Sequence, residues 1–170
     1  KLRHIAIILD GNRRFAKKNL LNPLKGHDAG VKVVWDLFDW AEELGIKEVT
    51  LYAFSTENFS REKVEVKHLM GLFFSEFDKL IKSGRLEKKQ IKVKFIGRLS
   101  MFEKKLHDKM DEMMEETKNY SNLTANFCMA YGGRAEIVDA VNKLIKNKKE
   151  ITEQNITNNL YLSSEPELII

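Results

Sequence analysis

Cysteine is almost missing from this chain of 170 residues, which carries one, Cys128. A single thiol cannot form an internal disulfide, and its place in an apolar run predicts a buried, inert side chain in a reducing compartment. Long hydrophobic runs are missing too. The run Ile5 to Leu9 is too short for a signal peptide or a transmembrane helix and gives way to charge, so the expected location is cytoplasmic, with any membrane contact peripheral. Neither G-x-x-x-x-G-K-[ST] nor G-x-G-x-x-G occurs, and the ordinary nucleotide-binding readings lose their support. Repeats, linkers and low-complexity tracts are lacking, and 170 residues suffice for one domain with a real core. No sign of charge dominates: 29 Lys and Arg against 25 Asp and Glu leave +4, which favours an anionic partner without pointing to nucleic acid. The basic run Lys143 to Lys149 reads as the solvated end of a helix.

What is present is a repeated unit of strand, polar turn and helix. The apolar, β-branched run Ile5 to Leu9 stops at Asp10-Gly11-Asn12 and passes into a helix-compatible stretch with Arg13 and Arg14 in its first turn. In an open α/β sheet the carboxyl end of a strand faces the ligand crevice. Asp10 is then a candidate metal ligand, Gly11 lets backbone approach a ligand, and the two arginines offer forked donors to phosphate oxygens. An aspartate capping a helix of solvated arginines is the other reading of the same residues.

The next segments repeat the pattern. Asn19 to Gly26 reads as a loop, Asp28 as an N-cap, and Val34, Leu37, Phe38, Ala41 and Leu44 as a helix face ending at Gly45. Glu48 to Phe54 is a strand that ends in Ser55-Thr56-Glu57-Asn58, then Phe59 and Arg61. Parallel strands joined by a helix bring their carboxyl ends to one edge, so the Asp10 and Ser55 clusters are expected in one crevice. A helix from about Val64 to Lys82 follows, interrupted by Gly71 and closed by Gly84. Ile91 to Phe95 alternates with lysines on a wet face, and Ser100 with Glu103 predicts a capping box before a methionine-rich core helix. Leu123 to Tyr131 is a strand ending in Gly132-Gly133-Arg134, before a helix marked by Ile137, Val141, Leu144 and Ile145. Thr152 is expected to cap a short helix, and Leu168-Ile169-Ile170 to begin a buried strand.

These blocks together resemble the cis-prenyltransferase family, typified by undecaprenyl diphosphate synthase. The matching text is His4-Ile-Ala-Ile-Ile-Leu-Asp-Gly-Asn-Arg-Arg-Phe-Ala-Lys-Lys18, Gly26-His27-x-x-Gly30, Leu51-Tyr-Ala-Phe-Ser-Thr-Glu-Asn-Phe-Ser-Arg61, and Tyr131-Gly-Gly-Arg134 followed by Glu136. The resemblance implies an open, mainly parallel sheet ringed by helices, Mg²⁺ dependence and a homodimer. It also implies condensation of isopentenyl diphosphate onto an allylic diphosphate, such as farnesyl or geranylgeranyl diphosphate, to give a long cis-polyprenyl diphosphate lipid carrier. Carried over by position, it makes Asp10 the metal ligand and essential carboxylate and gives Asn58 a part in proton removal. A neutral amide is a poor base, so Asn58 is expected to orient the proton for a phosphate oxygen or water. Gly11, Asn12, Arg13, Arg14, Phe15, His27, Ser55, Thr56, Glu57, Phe59 and Arg61 become substrate-binding residues. Ala53, Leu69, Met70, Leu72 and Phe73 become tunnel lining.

Pro23 stands where bacterial members commonly carry a diphosphate-binding arginine, with Lys25 as a nearby replacement. The family's Arg-Thr-Gly-Gly-Glu run is not found before Ile170. The expectation is therefore a single catalytic domain, incomplete at its C-terminus, with a weakened isopentenyl diphosphate site and inactive by itself. Two alternatives differ in class: a non-catalytic partner subunit, against which the intact Asp10-Gly11-Asn12 speaks, and a haloacid-dehalogenase-like phosphatase, whose second aspartate is replaced by Asn12.

Overall fold

The structure, a computed structural model, describes residues 2–170, and of positions 23 and 24 the backbone alone. The elements follow in the order β1 (His4–Ile8), α1 (Asn12–Lys18), α2 (Pro23–Glu43), β2 (Glu48–Ser55), a 3-10 turn (Thr56–Ser60), α3 (Lys63–Lys82), α4 (Arg85–Lys89), β3 (Ile91–Ile96), a second 3-10 turn (Leu99–Met101), α5 (Lys104–Thr117), β4 (Leu123–Tyr131), α6 (Gly133–Lys146), α7 (Glu153–Thr157) and β5 (Leu168–Ile169). The strands form one sheet in the order β3-β4-β2-β1-β5, and every pairing is parallel. This is the expected open α/β architecture.

Register explains the two faces. Ile5 lies opposite Val49, Val49 opposite Ala125 and Ala125 opposite Val93. Ile7, Leu51, Phe127 and Phe95 form the next row. Side chains alternate across a strand, so both rows point to one face. There they meet Phe38 of α2, Leu69, Phe77 and Leu80 of α3, and Leu106, Met110 and Met113 of α5 in the main core. The opposite face carries a polar row. Asn126 Nδ2 donates to Glu48 Oε1 at 2.7 Å and to Thr50 Oγ1 at 3.0 Å, His4 Nε2 bonds Thr50 Oγ1 at 2.8 Å, and Ser164 Oγ donates to Glu48 Oε1 at 2.7 Å.

Several local expectations change. The loop from Asn19 to Gly26 is shorter than expected, because α2 already begins at Pro23, where a residue without an N–H is tolerated. Asp28 is thus inside α2, where its carboxylate faces His68 of α3 at 3.1 Å and Lys25 at 3.6 Å. Ser100 lies in the second 3-10 turn and α5 starts only after Glu103, so no capping box forms there. Gly84 does not simply end α3: its φ of +64° turns the chain into the short α4. In α6 the buried positions are Glu136, Ala140 and Leu144, while Ile137 and Ile145 face outward. β5 pairs with β1 but is exposed, Ile169 by 63%, so the buried strand expected from its apolar residues is not found.

A tight constraint lies between α1 and α2. A Cβ on Gly26 would lie 2.1 Å from the Asn12 carbonyl oxygen, and one on Gly30 would lie 2.7 Å from Asn12 Oδ1. At Gly26 the obstacle is backbone and no side chain fits, whereas at Gly30 the Asn12 side chain would have to move aside. Gly71 is different: an added Cβ meets nothing within 4 Å. Gly26→Ala should therefore destabilise the protein by about 1–3 kcal/mol, as overpacking does, whereas Gly71→Ala should stabilise it by roughly 0.4–1 kcal/mol through the unfolded chain. Denaturant midpoints of the two variants check both signs.

Candidate active site

At the end of β1, Gly11 adopts a φ of +93° and turns the chain into α1. The Asp10 carboxylate is fixed locally: Oδ1 accepts the Gly11 N–H at 2.5 Å and Oδ2 accepts the Arg14 guanidinium at 2.9 Å. Both side chains remain largely in water, 75% and 80% exposed, so this pair can open to a ligand at little cost. With seven residues, α1 is about two turns long. The positive field at Asp10 therefore comes chiefly from the Arg13 and Arg14 side chains rather than from a long helix dipole.

β2 delivers the second half. Its parallel pairing with β1 sets the Ser55 end beside the Asp10 end, and a crevice of about 220 Å³ opens between them. Asp10, Gly11, Asn12, Arg13, Arg14, His27, Ser55, Asn58 and Arg61 line it. The shared crevice read from the strand order is thus present.

The block from Ser55 to Arg61 contributes every third residue. A 3-10 helix has about three residues per turn, so side chains at i and i+3 eclipse. Ser55, Asn58 and Arg61 consequently face the crevice, and Thr56, Glu57 and Phe59 do not line it. Thr56 Oγ1 lies 3.1 Å from where a Cβ on Gly132 would stand. Glu57 is exposed, and Phe59 packs on Phe54 and Phe102 with ring centroids 4.9 and 5.5 Å apart. Phe15 also lies outside the crevice lining and is 49% exposed. Asn58 Oδ1 accepts the Ser55 N–H at 3.0 Å. Its carbonyl is thereby committed, and two N–H donors remain for a ligand.

Sequence reading missed Glu65. This buried carboxylate of α3 bonds His27 Nε2 at 3.1 Å and accepts from Arg61 at 3.0 Å, tying α2, α3 and the Ser55 turn together. The i, i+4 spacing of Arg61 and Glu65 was the available signal. Burial lowers the His27 pKa against the raising effect of the Glu65 hydrogen bond. Burial pushes the Glu65 carboxyl up, but the His27 hydrogen bond and the Arg61 and Arg13 charges together outweigh it and hold it below the ordinary range. An ionised Glu65 accepts, so the neutral His27 carries its proton on Nε2.

A second cavity, about 350 Å³ and mostly apolar, adjoins the crevice and shares Asp10, Asn12, His27, Ala53 and Leu69 with it. Leu72 and Phe73 line it as well; Met70 does not, and turns to the other side of α3. At the end of β4 the Tyr131 hydroxyl donates to Glu136 Oε2 at 2.6 Å, and Glu136 Oε1 accepts the Tyr161 N–H at 2.7 Å. The Tyr131-Gly-Gly-Arg134 block therefore anchors the chain and contributes nothing to the crevice lining. Cys128 is buried as expected, with burial pushing its thiol up to about 12.

Residues 8–170 match the family described as "Putative undecaprenyl diphosphate synthase". The chain is 40% identical over 172 residues to the geranylgeranyl-diphosphate-specific tritrans,polycis-undecaprenyl-diphosphate synthase of Pyrococcus abyssi, covering 97% of this chain and 65% of that protein. To an isoprenyl transferase of Fusobacterium nucleatum it is 44% identical, covering 99% of this chain and 73% of that protein. The crystal structure of lavandulyl diphosphate synthase from Lavandula x intermedia, in complex with dimethylallyl diphosphate, superimposes with a TM-score of 0.91 at 28% identity, over 99% of this chain and 76% of that one. The chain thus spans about 65% of the length of the archaeal relative.

The His27–Glu65 pair sets a pH signature. Both groups titrate lower in the fold than their ordinary values of 6.5 and 4.5. At lower pH the unfolded chain binds the protons first, so their contribution is complete above pH 6.5 and declines as pH falls toward the depressed values. Thermal melting across pH should show stability falling below pH 6.5, and His27→Gln should flatten the first part of that fall. Glu65→Ala, which strips a buried histidine of its partner, should cost about 1–3 kcal/mol.

Proposed function

We propose a function for a chain that belongs to the undecaprenyl diphosphate synthase family of prenyltransferases: it extends an allylic diphosphate by condensation with isopentenyl diphosphate, forming cis double bonds and a long polyprenyl diphosphate. One observation carries this reading. The polar crevice and the apolar cavity meet at Asp10, Asn12, His27, Ala53 and Leu69, so a ligand with a charged head and a hydrocarbon tail fits both at once. The haloacid-dehalogenase-like phosphatase reading falls with the family match over residues 8–170. The partner-subunit reading loses to the exposed Asp10, which a purely structural chain would not need.

In the proposed reaction Arg13 and Arg14 hold the allylic diphosphate and stabilise the negative charge that grows as it leaves. Asn58, Ser55 and Arg61 face the second diphosphate. The Asn58 amide donates to a phosphate oxygen and so orients the group that takes the proton, which a carboxamide cannot take itself. Holding Arg61 and His27 in place falls to Glu65. Phe15, Thr56, Glu57 and Phe59 lie outside the crevice lining.

Magnesium fits the donor set. This ion is commonly held by one or two carboxylates together with substrate phosphates and water, and Asp10 is an exposed carboxylate with a free lone pair on each oxygen, beside the cationic side chains that would hold the phosphates. When bound, Mg²⁺ supplies charge neutralisation to the diphosphate. The homodimer, the cytoplasmic location and peripheral contact with membrane through the lipid product belong to the same proposal. No helix among the described residues is long and apolar enough to cross a membrane.

Labelled isopentenyl diphosphate, supplied with Mg²⁺ and farnesyl or geranylgeranyl diphosphate to the full-length protein, should appear in chain-extended lipid; no incorporation with either primer overturns the proposal. Asp10→Ala should lower the rate by about 10²–10³-fold, the scale of losing one electrostatic stabiliser, and an active Asp10→Ala would remove Asp10 from the chemistry. Ala53→Leu, at the junction of crevice and cavity, should shorten the products. Chromatography of the dephosphorylated lipids reads that length.

A further inference from the structure

On the other side of α3 lies a separate groove. It runs between α3 and the start of α5, has a volume of about 650 Å³ and shares only Arg61 with the crevice. Its apolar wall is half-buried or buried: Val66, Met70, Phe74 and Leu106. Its exposed rim is Lys63, Lys67 and Lys105, with one carboxylate, Glu103. Arg61 is already held by Glu65 at 3.0 Å.

The three lysines differ from their neighbours. Lys79, Lys82, Lys104 and Lys109 each pair with an acidic side chain. Among the described residues none of Lys63, Lys67 and Lys105 has an acidic partner within 4.0 Å. Lys105 instead lies with Nζ 4.1 Å from the Phe74 ring centroid, an ammonium already resting on the apolar wall. Gly71 completes the picture. It interrupts α3 at a cost of roughly 1 kcal/mol relative to Ala, yet no neighbour requires its small size, since an added Cβ meets nothing within 4 Å. What its lack of a side chain does is widen the groove it lines.

We propose that this groove binds an anionic membrane phospholipid, its phosphate among Lys63, Lys67 and Lys105 and one acyl chain along Val66, Met70 and Phe74. Charge complementarity selects this occupant. A small inorganic anion would use the rim and leave the apolar wall wet, while a neutral lipid would cover the wall and leave three unpaired cations unused. Lysine stems lie along apolar surface while their ammonium groups meet a phosphate at the boundary. The groove does not depend on the prenyl-transfer reading, because it touches neither Asp10 nor the apolar cavity.

Vesicle flotation tests it. The protein should float with phosphatidylglycerol vesicles at least about tenfold more strongly than with phosphatidylcholine vesicles. Combined Lys63→Glu, Lys67→Glu and Lys105→Glu should abolish that preference. Combined Lys146→Glu, Lys148→Glu and Lys149→Glu, the same charge change at the end of α6, should leave it. Gly71→Leu, which fills the groove without altering charge, should lower binding several-fold while circular dichroism shows an unchanged fold. Equal loss in the two triple variants, wild-type binding by a folded Gly71→Leu, or no preference for phosphatidylglycerol would each overturn the assignment.

Discussion

The close approach of α2 to Asn12 governs the geometry of the crevice. Gly26 and Gly30 lie one helical turn apart on α2, and the Asn12 backbone carbonyl and side-chain amide occupy the space their side chains would fill. Because α2 presses onto the first residue of α1, the turn at Asp10-Gly11 is closed from behind, and His27, next to Gly26, sits in the wall of the crevice. Longer side chains at those two positions would lift α2 and separate His27 from Asp10.

Two clusters of polar groups in the fold are held by hydrogen bonds between elements. Glu65 stays charged in the interior because a histidine and an arginine from different segments meet it, which turns a burial penalty into a clamp across three elements. On the other face of the sheet, His4, Glu48, Thr50, Asn126 and Ser164 share one network. Such a network favours one strand register, since a slip of one residue would put these groups into the apolar core.

The similarity to a lavandulyl diphosphate synthase as well as to undecaprenyl diphosphate synthases shows how widely this scaffold is used. In this chain the scaffold gathers cations and a carboxylate at a sheet edge next to apolar space. There the polar crevice opens onto an apolar cavity that Ala53 lines together with Leu69, Leu72 and Phe73.

Local chemistry decided what the sequence determined by itself. Apolar β-branched runs ending in Asp10-Gly11-Asn12 and Ser55-Thr56-Glu57-Asn58 marked the strand ends, and parallel connection through a helix forced those ends to one edge, so the crevice was legible before any coordinates. Burial of Cys128 and the apolar faces of α3 and α5 were legible for the same reason: their signals lie within a few residues. Only the tertiary structure decided which residues of a block face a ligand. Ser55, Asn58 and Arg61 face it because the chain winds there as a 3-10 helix, whereas a seven-residue motif reads the same in any winding. Glu65 gained its place from His27, 38 residues away, and Gly26 and Gly30 from Asn12 on another helix. Met70 and Phe73 parted because α3 separates two cavities and its opposite sides line different ones. Periodicity shows that a helix has faces; only its packed neighbours settle what each face meets.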